Sequence, residues 1–138
     1  MCTDIYLGTN KKIPLANFNS EEPGFYSVEL NDPKTIEFVN NILNQKYYYE
    51  VGSFMGCTCG LAFGDWSKQS KNEDHQKRLN DVKSFFEYLK QNRNSDIKIF
   101  ATMWEEFPEK YPTKTFDIDN FPKNEFYPTE YTILKIKQ

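Results

Sequence analysis

Two cysteines one residue apart, each with a glycine on its outer side, make Gly56-Cys57-Thr58-Cys59-Gly60 the segment best equipped for chemistry. In an extended chain Cys57 and Cys59 point to the same face, because strand side chains alternate with period two. Two thiols on one surface open three readings. The first is a metal site: the pair supplies half of a tetrahedral zinc centre, Cys2 is the third ligand if the first strand lies alongside, and His75 or Asp65 is the fourth. The spacing differs from the usual knuckle with two intervening residues. The second is redox chemistry. Residues i and i+2 sit at the roughly 7 Å limit for a disulfide, and a strained bond of that kind is easily reduced. The third is packing alone. Cysteine is among the most buried residue types and behaves as a small hydrophobe. Gly56 and Gly60 would then let a strand bend beneath a helix.

Further residues carry narrower readings. Cys2 becomes the terminal residue if Met1 is trimmed, and an α-amine beside a thiol can activate it as a nucleophile. His75, the one histidine of the chain, falls at the start of a long helical pattern. The positive helix end there favours a neutral ring suited to metal or proton transfer, and the plainer alternative is a solvated histidine. Ser67, Lys68 and Ser70 precede the same helix and could hold a phosphate, although no glycine-rich phosphate loop accompanies them. Glu105-Glu106 and Asp117/Asp119 are paired carboxylates in charged, proline-rich surroundings, where a solvated loop is expected. Tyr47-Tyr48-Tyr49, Phe54, Phe63 and Trp66 could line a ligand pocket, but in so aromatic a chain they are expected mainly to pack.

Met1-Cys2-Thr3 with Tyr6, the run Tyr49-Glu50-Val51-Gly52 and the motif Gly56-Cys57-Thr58-Cys59-Gly60-Leu61 together resemble a family of small uncharacterised bacterial proteins. Its members begin Met-Cys and carry Gly-Cys-x-Cys-Gly-Phe after a tyrosine-rich strand. Leu61 departs from that pattern, and the resemblance spans the first half of the chain. It implies a bacterial source and carries no catalytic role across.

The scaffold that must position these residues reads as a single globular domain over 1–138. A chain of 138 residues can bury a sizeable core without staples. Aromatics reach 17 %, so large rings replace part of the aliphatic volume. Net charge is −3 and no Lys/Arg block stands out, which argues against nucleic acid as a partner. No apolar run reaches the roughly 20 residues of a membrane span, and the first residues lack a signal-peptide pattern. Three cysteines in such a chain do not read as a disulfide framework, so a cytoplasmic location is expected.

Alternation predicts strands at 2–8, 25–30, 47–51, 97–103, 114–118 and 130–137. Asp32-Pro33 announces a helix to about Leu43, and Leu79, Val82, Phe85, Phe86 and Leu89 mark the buried stripe of a longer one over 73–91. The pattern is an α+β domain: a mostly antiparallel sheet of five or six strands, with two helices packed on one face. Its expected role is structural or partner/ligand-binding. A thiolate zinc protein and a thiol-dependent enzyme or redox protein are the alternatives.

Overall fold

The computed structural model describes residues 4–53, 73–102, 111–120 and 132–137. Strands β1 (Asp4–Thr9), β2 (Tyr26–Glu29), β3 (Tyr47–Gly52), β4 (Lys98–Thr102), β5 (Thr113–Phe116) and β6 (Ile133–Ile136) form one sheet in the order β2-β3-β1-β4-β6-β5. Every neighbouring pair is antiparallel except β5 with β6. Helix α1 (Pro33–Leu43) lies between β2 and β3 in sequence, and α2 (Glu73–Gln91) lies between β3 and β4. The α+β class, the antiparallel bias and the two helices are as the sequence predicts.

Helix α1 starts where the sequence says. Asp32 is the N-cap, its carboxylate accepting the Thr35 N–H at 3.1 Å and the Thr35 hydroxyl at 2.6 Å, with Pro33 in the first turn. Those bonds hold the Asp32 carboxyl below its ordinary pKa. Asn44 stops the helix by turning left-handed, φ 51°, while its N–H donates back to Asn40 O.

The helices lie on opposite faces of the sheet, which corrects the expectation that both pack on one. Ile5, Leu7, Tyr49, Val51, Ile99, Ala101, Leu134 and Ile136 face Val82, Phe85, Phe86 and Leu89 of α2. Residues at the alternate positions of the same strands, Tyr6, Tyr48 and Phe100, face Val39 and Leu43 of α1. Period-two alternation in three adjacent strands admits no other arrangement. Phe100 is sandwiched there, its ring 5.3 Å from Tyr111 and 6.3 Å from Phe38.

Two glycines admit close approach. A Cβ on Gly8 would stand 2.9 Å from Gln45 Cγ and 3.1 Å from Leu43 Cδ1, so glycine lets the end of α1 settle on β1. At Gly52 the Tyr26 ring lies across the backbone, and a Cβ would meet its Cζ at 2.3 Å.

Candidate functional site

Cys2, Cys57, Cys59 and Asp65 lie outside the described residues, as do Ser67, Lys68, Ser70, Glu105, Glu106, Phe54, Phe63 and Trp66. His75 belongs to the first turn of α2, and its side chain is likewise outside the described part. Among the described residues no group of three or more His, Cys, Asp or Glu side chains could hold a metal ion. Asp119 is committed to Arg93 at 2.6 Å, and Asp117 accepts the Asp119 N–H at 3.0 Å and lies 3.9 Å from Lys137. These two carboxylates therefore tie the chain after β5 to its neighbours rather than form an acid–base pair. Tyr48 and Tyr49 are buried packing residues.

The anchors of the cysteine segments are nonetheless informative. Asp4 opens β1 and pairs with Thr102 at the end of β4, while Ile5 pairs with Val51 near the end of β3. The chain thus reaches Asp4 and departs from Ser53 and Thr102 at one end of the sheet. Glu50 sits half-buried near this end, on the α1 face with Tyr6 and Tyr48. Burial first, and then the Asp4 charge, push its carboxyl above the ordinary range.

That shift gives a pH prediction. A carboxyl whose folded pKa exceeds its unfolded value penalises the fold most where it is ionised in both states, above the folded pKa. The penalty lifts as pH falls through the folded pKa and vanishes below the ordinary carboxylate range. With allowance for solvent screening, Glu50→Gln raises Tm at pH 7 by about 1–2 °C, and the margin disappears by about pH 4. Thermal melts across that range check it; a margin growing on acidification would contradict it.

The described residues line an open amphipathic groove between α2 and the loop over residues 13–25. Positions 84, 87, 88 and 91 of α2 recur at helical spacing and give a continuous floor. Lys83, Ser84, Glu87, Tyr88 and Gln91 meet Ala16 and Phe25 around a groove of about 370 Å³. This lies within the usual range for small-molecule sites, roughly 300–1,000 Å³.

A hydrogen-bonded clamp fixes the loop. The Tyr88 hydroxyl donates to Pro14 O at 2.7 Å and accepts from the Ser27 hydroxyl at 3.2 Å. Ser27 Oγ accepts the Ala16 N–H at 2.9 Å, and the Ser27 N–H donates to Ala16 O at 2.7 Å. The buried Tyr49 hydroxyl accepts the Ile13 N–H at 3.0 Å. Phe25 closes the wall, its ring 5.2 Å from Phe85 and 5.3 Å from Tyr88. Burial raises the Tyr88 pKa, against a smaller lowering by the Ser27 bond, so the phenol stays a neutral donor.

The charges of the groove are unequal. Glu87 lies 3.5 Å from Lys90, its partner one turn along. Lys83 makes no ion pair or hydrogen bond among the described residues. The groove therefore offers two rings, a small hydroxyl, an amide and one spare cation.

Sequence reasoning missed this site. The sequence marks the α2 stripe through Leu79, Val82, Phe85, Phe86 and Leu89, and Tyr88 stands at its margin. Pro14 and Gly24 bounding an irregular stretch just before an aromatic strand was the one local signal. Among the described residues no helix is long and apolar enough to cross a membrane. Comparison with protein-family models, with curated proteins and with solved structures finds no match for this chain.

Proposed function

We propose that this chain is a ligand-binding domain whose seat is the groove between α2 and the loop over 13–25. The observation that carries the reading is the pairing of an aromatic wall, Phe25 and Tyr88, with Lys83, which has no ion pair among the described residues, at the rim of an open groove. Rings recognise a flat apolar body, and a lone cation recognises a negative charge beside it. The ligand class is a small aromatic anion, such as an aryl carboxylate. A thermal-shift survey of aryl carboxylates against matched neutral amides tests it. At about a hundred times Kd, a ligand stabilises by about 2.7 kcal/mol, which is several degrees in Tm. The carboxylates are expected to raise Tm, and Phe25→Ala and Lys83→Met each to remove the effect. A shift that survives Phe25→Ala, or equal shifts from the amides, would contradict the reading.

A second reading, a thiolate zinc site of Cys57, Cys59 and Cys2, is favoured by the strand ends. The stretch holding Cys57 and Cys59 departs from β3 beside the start of β1, two residues after Cys2. Near-stoichiometric zinc in protein purified without chelator is expected, with loss on Cys57→Ala plus Cys59→Ala. Metal-free protein whose thiols react rapidly at neutral pH would favour the redox alternative instead.

A further inference from the structure

The two outer strands of the sheet differ in how their edges are finished. On β2 the outward-facing Ser27 N–H is taken by Ala16 O, so the loop over 13–25 partly closes that edge. On β5 the opposite holds. The Ile133 N–H donates to Pro112 O, and the Lys137 N–H donates to Phe116 O. By alternation of the ladder, the main-chain groups of Thr113 and Thr115 then point away from β6. Neither residue has a hydrogen bond outside the strand among the described residues, and all of Thr113, Lys114 and Thr115 are exposed.

The charge along this edge is positive in a chain of net charge −3. Lys114 stands on the α2 face, opposite Leu134. Lys135, opposite Thr115, stands on the α1 face. Neither lysine forms an ion pair among the described residues. Lys137 lies 3.9 Å from Asp117. Lys98, directly across from Lys135, donates to Leu43 O at 3.3 Å at the carbonyl end of α1. An open depression of about 370 Å³ lined by Asp96, Thr115, Lys135, Ile136 and Lys137 runs beside the edge.

We propose that the outer edge of β5 accepts an extended acidic peptide segment of a partner protein as a seventh strand. An antiparallel guest can make about four main-chain bonds, two each with Thr113 and Thr115. A guest residue opposite Lys114 lies on one face; the next residues lie on the other, about 10 Å across β5 from Lys135, a span that an extended lysine and a glutamate can bridge together. Carboxylates at successive positions therefore meet an unpaired lysine on either face. A second copy of this chain fits poorly. The two-fold register that pairs Thr113 with Thr115 sets Lys114 directly against Lys114 of the copy, and like charges so placed repel.

The test is fluorescence anisotropy of a labelled peptide repeating Glu-Glu-Val, which sets carboxylates on both faces of the added strand, on the full chain, with a Lys-Lys-Val peptide as control. The acidic peptide is expected to bind and the basic one not. Lys114→Glu with Lys135→Glu should weaken the acidic peptide at least tenfold and admit the basic one. This variant is expected to fold, because Lys135→Glu replaces a like-charge pair with Lys98 by an opposite one. Thr115→Pro, which removes an outward N–H without touching the bonds to β6, should also weaken binding at least tenfold. Amide exchange on the unaltered chain gives a readout that needs no variant: Thr113 and Thr115 should gain protection with peptide bound. Absence of binding at millimolar peptide would overturn the proposal. So would binding sensitive to the lysines but without protection at Thr113 and Thr115, which marks a plain electrostatic patch, or tighter binding of a single-stranded oligonucleotide. A dimer that dissociates on Thr115→Pro would assign the edge to a second copy and would overturn it too.

Discussion

Phe85→Ala is expected to lower the unfolding free energy by about 3–5 kcal/mol. Phe85 is fully buried at the centre of the α2 cluster, and its ring touches Phe25 at 5.2 Å and Phe86 at 6.4 Å. Removal leaves a cavity under α2 and also takes away the support of the groove wall. For a chain of 138 residues that loss corresponds to roughly 10–20 °C in Tm. Urea unfolding measures it, with Ser84→Ala on the exposed side of the same helix as the control, expected within about 0.5 kcal/mol of the parent. A cost below about 1 kcal/mol for Phe85→Ala would mean that α2 does not pack on the sheet as described.

Tyr88→Phe is expected to cost about 1–3 kcal/mol although it deletes one oxygen. The change leaves Pro14 O without its donor and the Ser27 hydroxyl without its acceptor, in a part of the molecule where water does not fully replace them. The ring itself stays, so packing on Phe25 is kept. The distinguishing readout is local. Amide exchange at Ala16 and Ser27 should accelerate more than at β1 or β4, because the loop loses its tie to α2 while the sheet keeps its ladder. Uniform acceleration across the sheet would show that the hydroxyl acts on global stability alone.

Much of the scaffold was legible because local chemistry and tertiary placement agree. Asp32-Pro33 announces the start of α1, and the cap bond and the proline stand where the sequence puts them. The alternation of Tyr6 with Ile5 and Leu7 is the alternation of the two clusters. The central position of the apolar run after Ile97 follows from burial on both sides of β4.

The placement of the helices was misread, although its signal was present. Tyr47-Tyr48-Tyr49 and Ile99-Phe100-Ala101 are apolar at successive positions, which marks strands covered on both faces. Periodicity says which side of a helix is buried, but it does not say which face of the sheet receives that side. That is settled by connections. Here α2 links β3 to β4, the two strands that flank β1, while α1 links the adjacent β2 and β3.

The groove was not legible for a different reason. It joins Ala16 and Phe25 to positions 83–91, and its clamp joins Pro14 to Tyr88 across 74 residues. No local pattern encodes a contact of that span. The cysteine motif shows the converse: Gly56-Cys57-Thr58-Cys59-Gly60 is conspicuous in sequence, and it lies outside the described residues.

We propose a small aromatic anion as the ligand of the groove between α2 and the loop over 13–25. Chemical-shift mapping of the backbone amides during titration with an aryl carboxylate tests it most directly. The expected result is saturable shifts concentrated at Ala16, Phe25, Ser84, Tyr88 and Gln91, abolished by Phe25→Ala. Shifts absent at millimolar ligand, or gathered away from these residues, would contradict the claim.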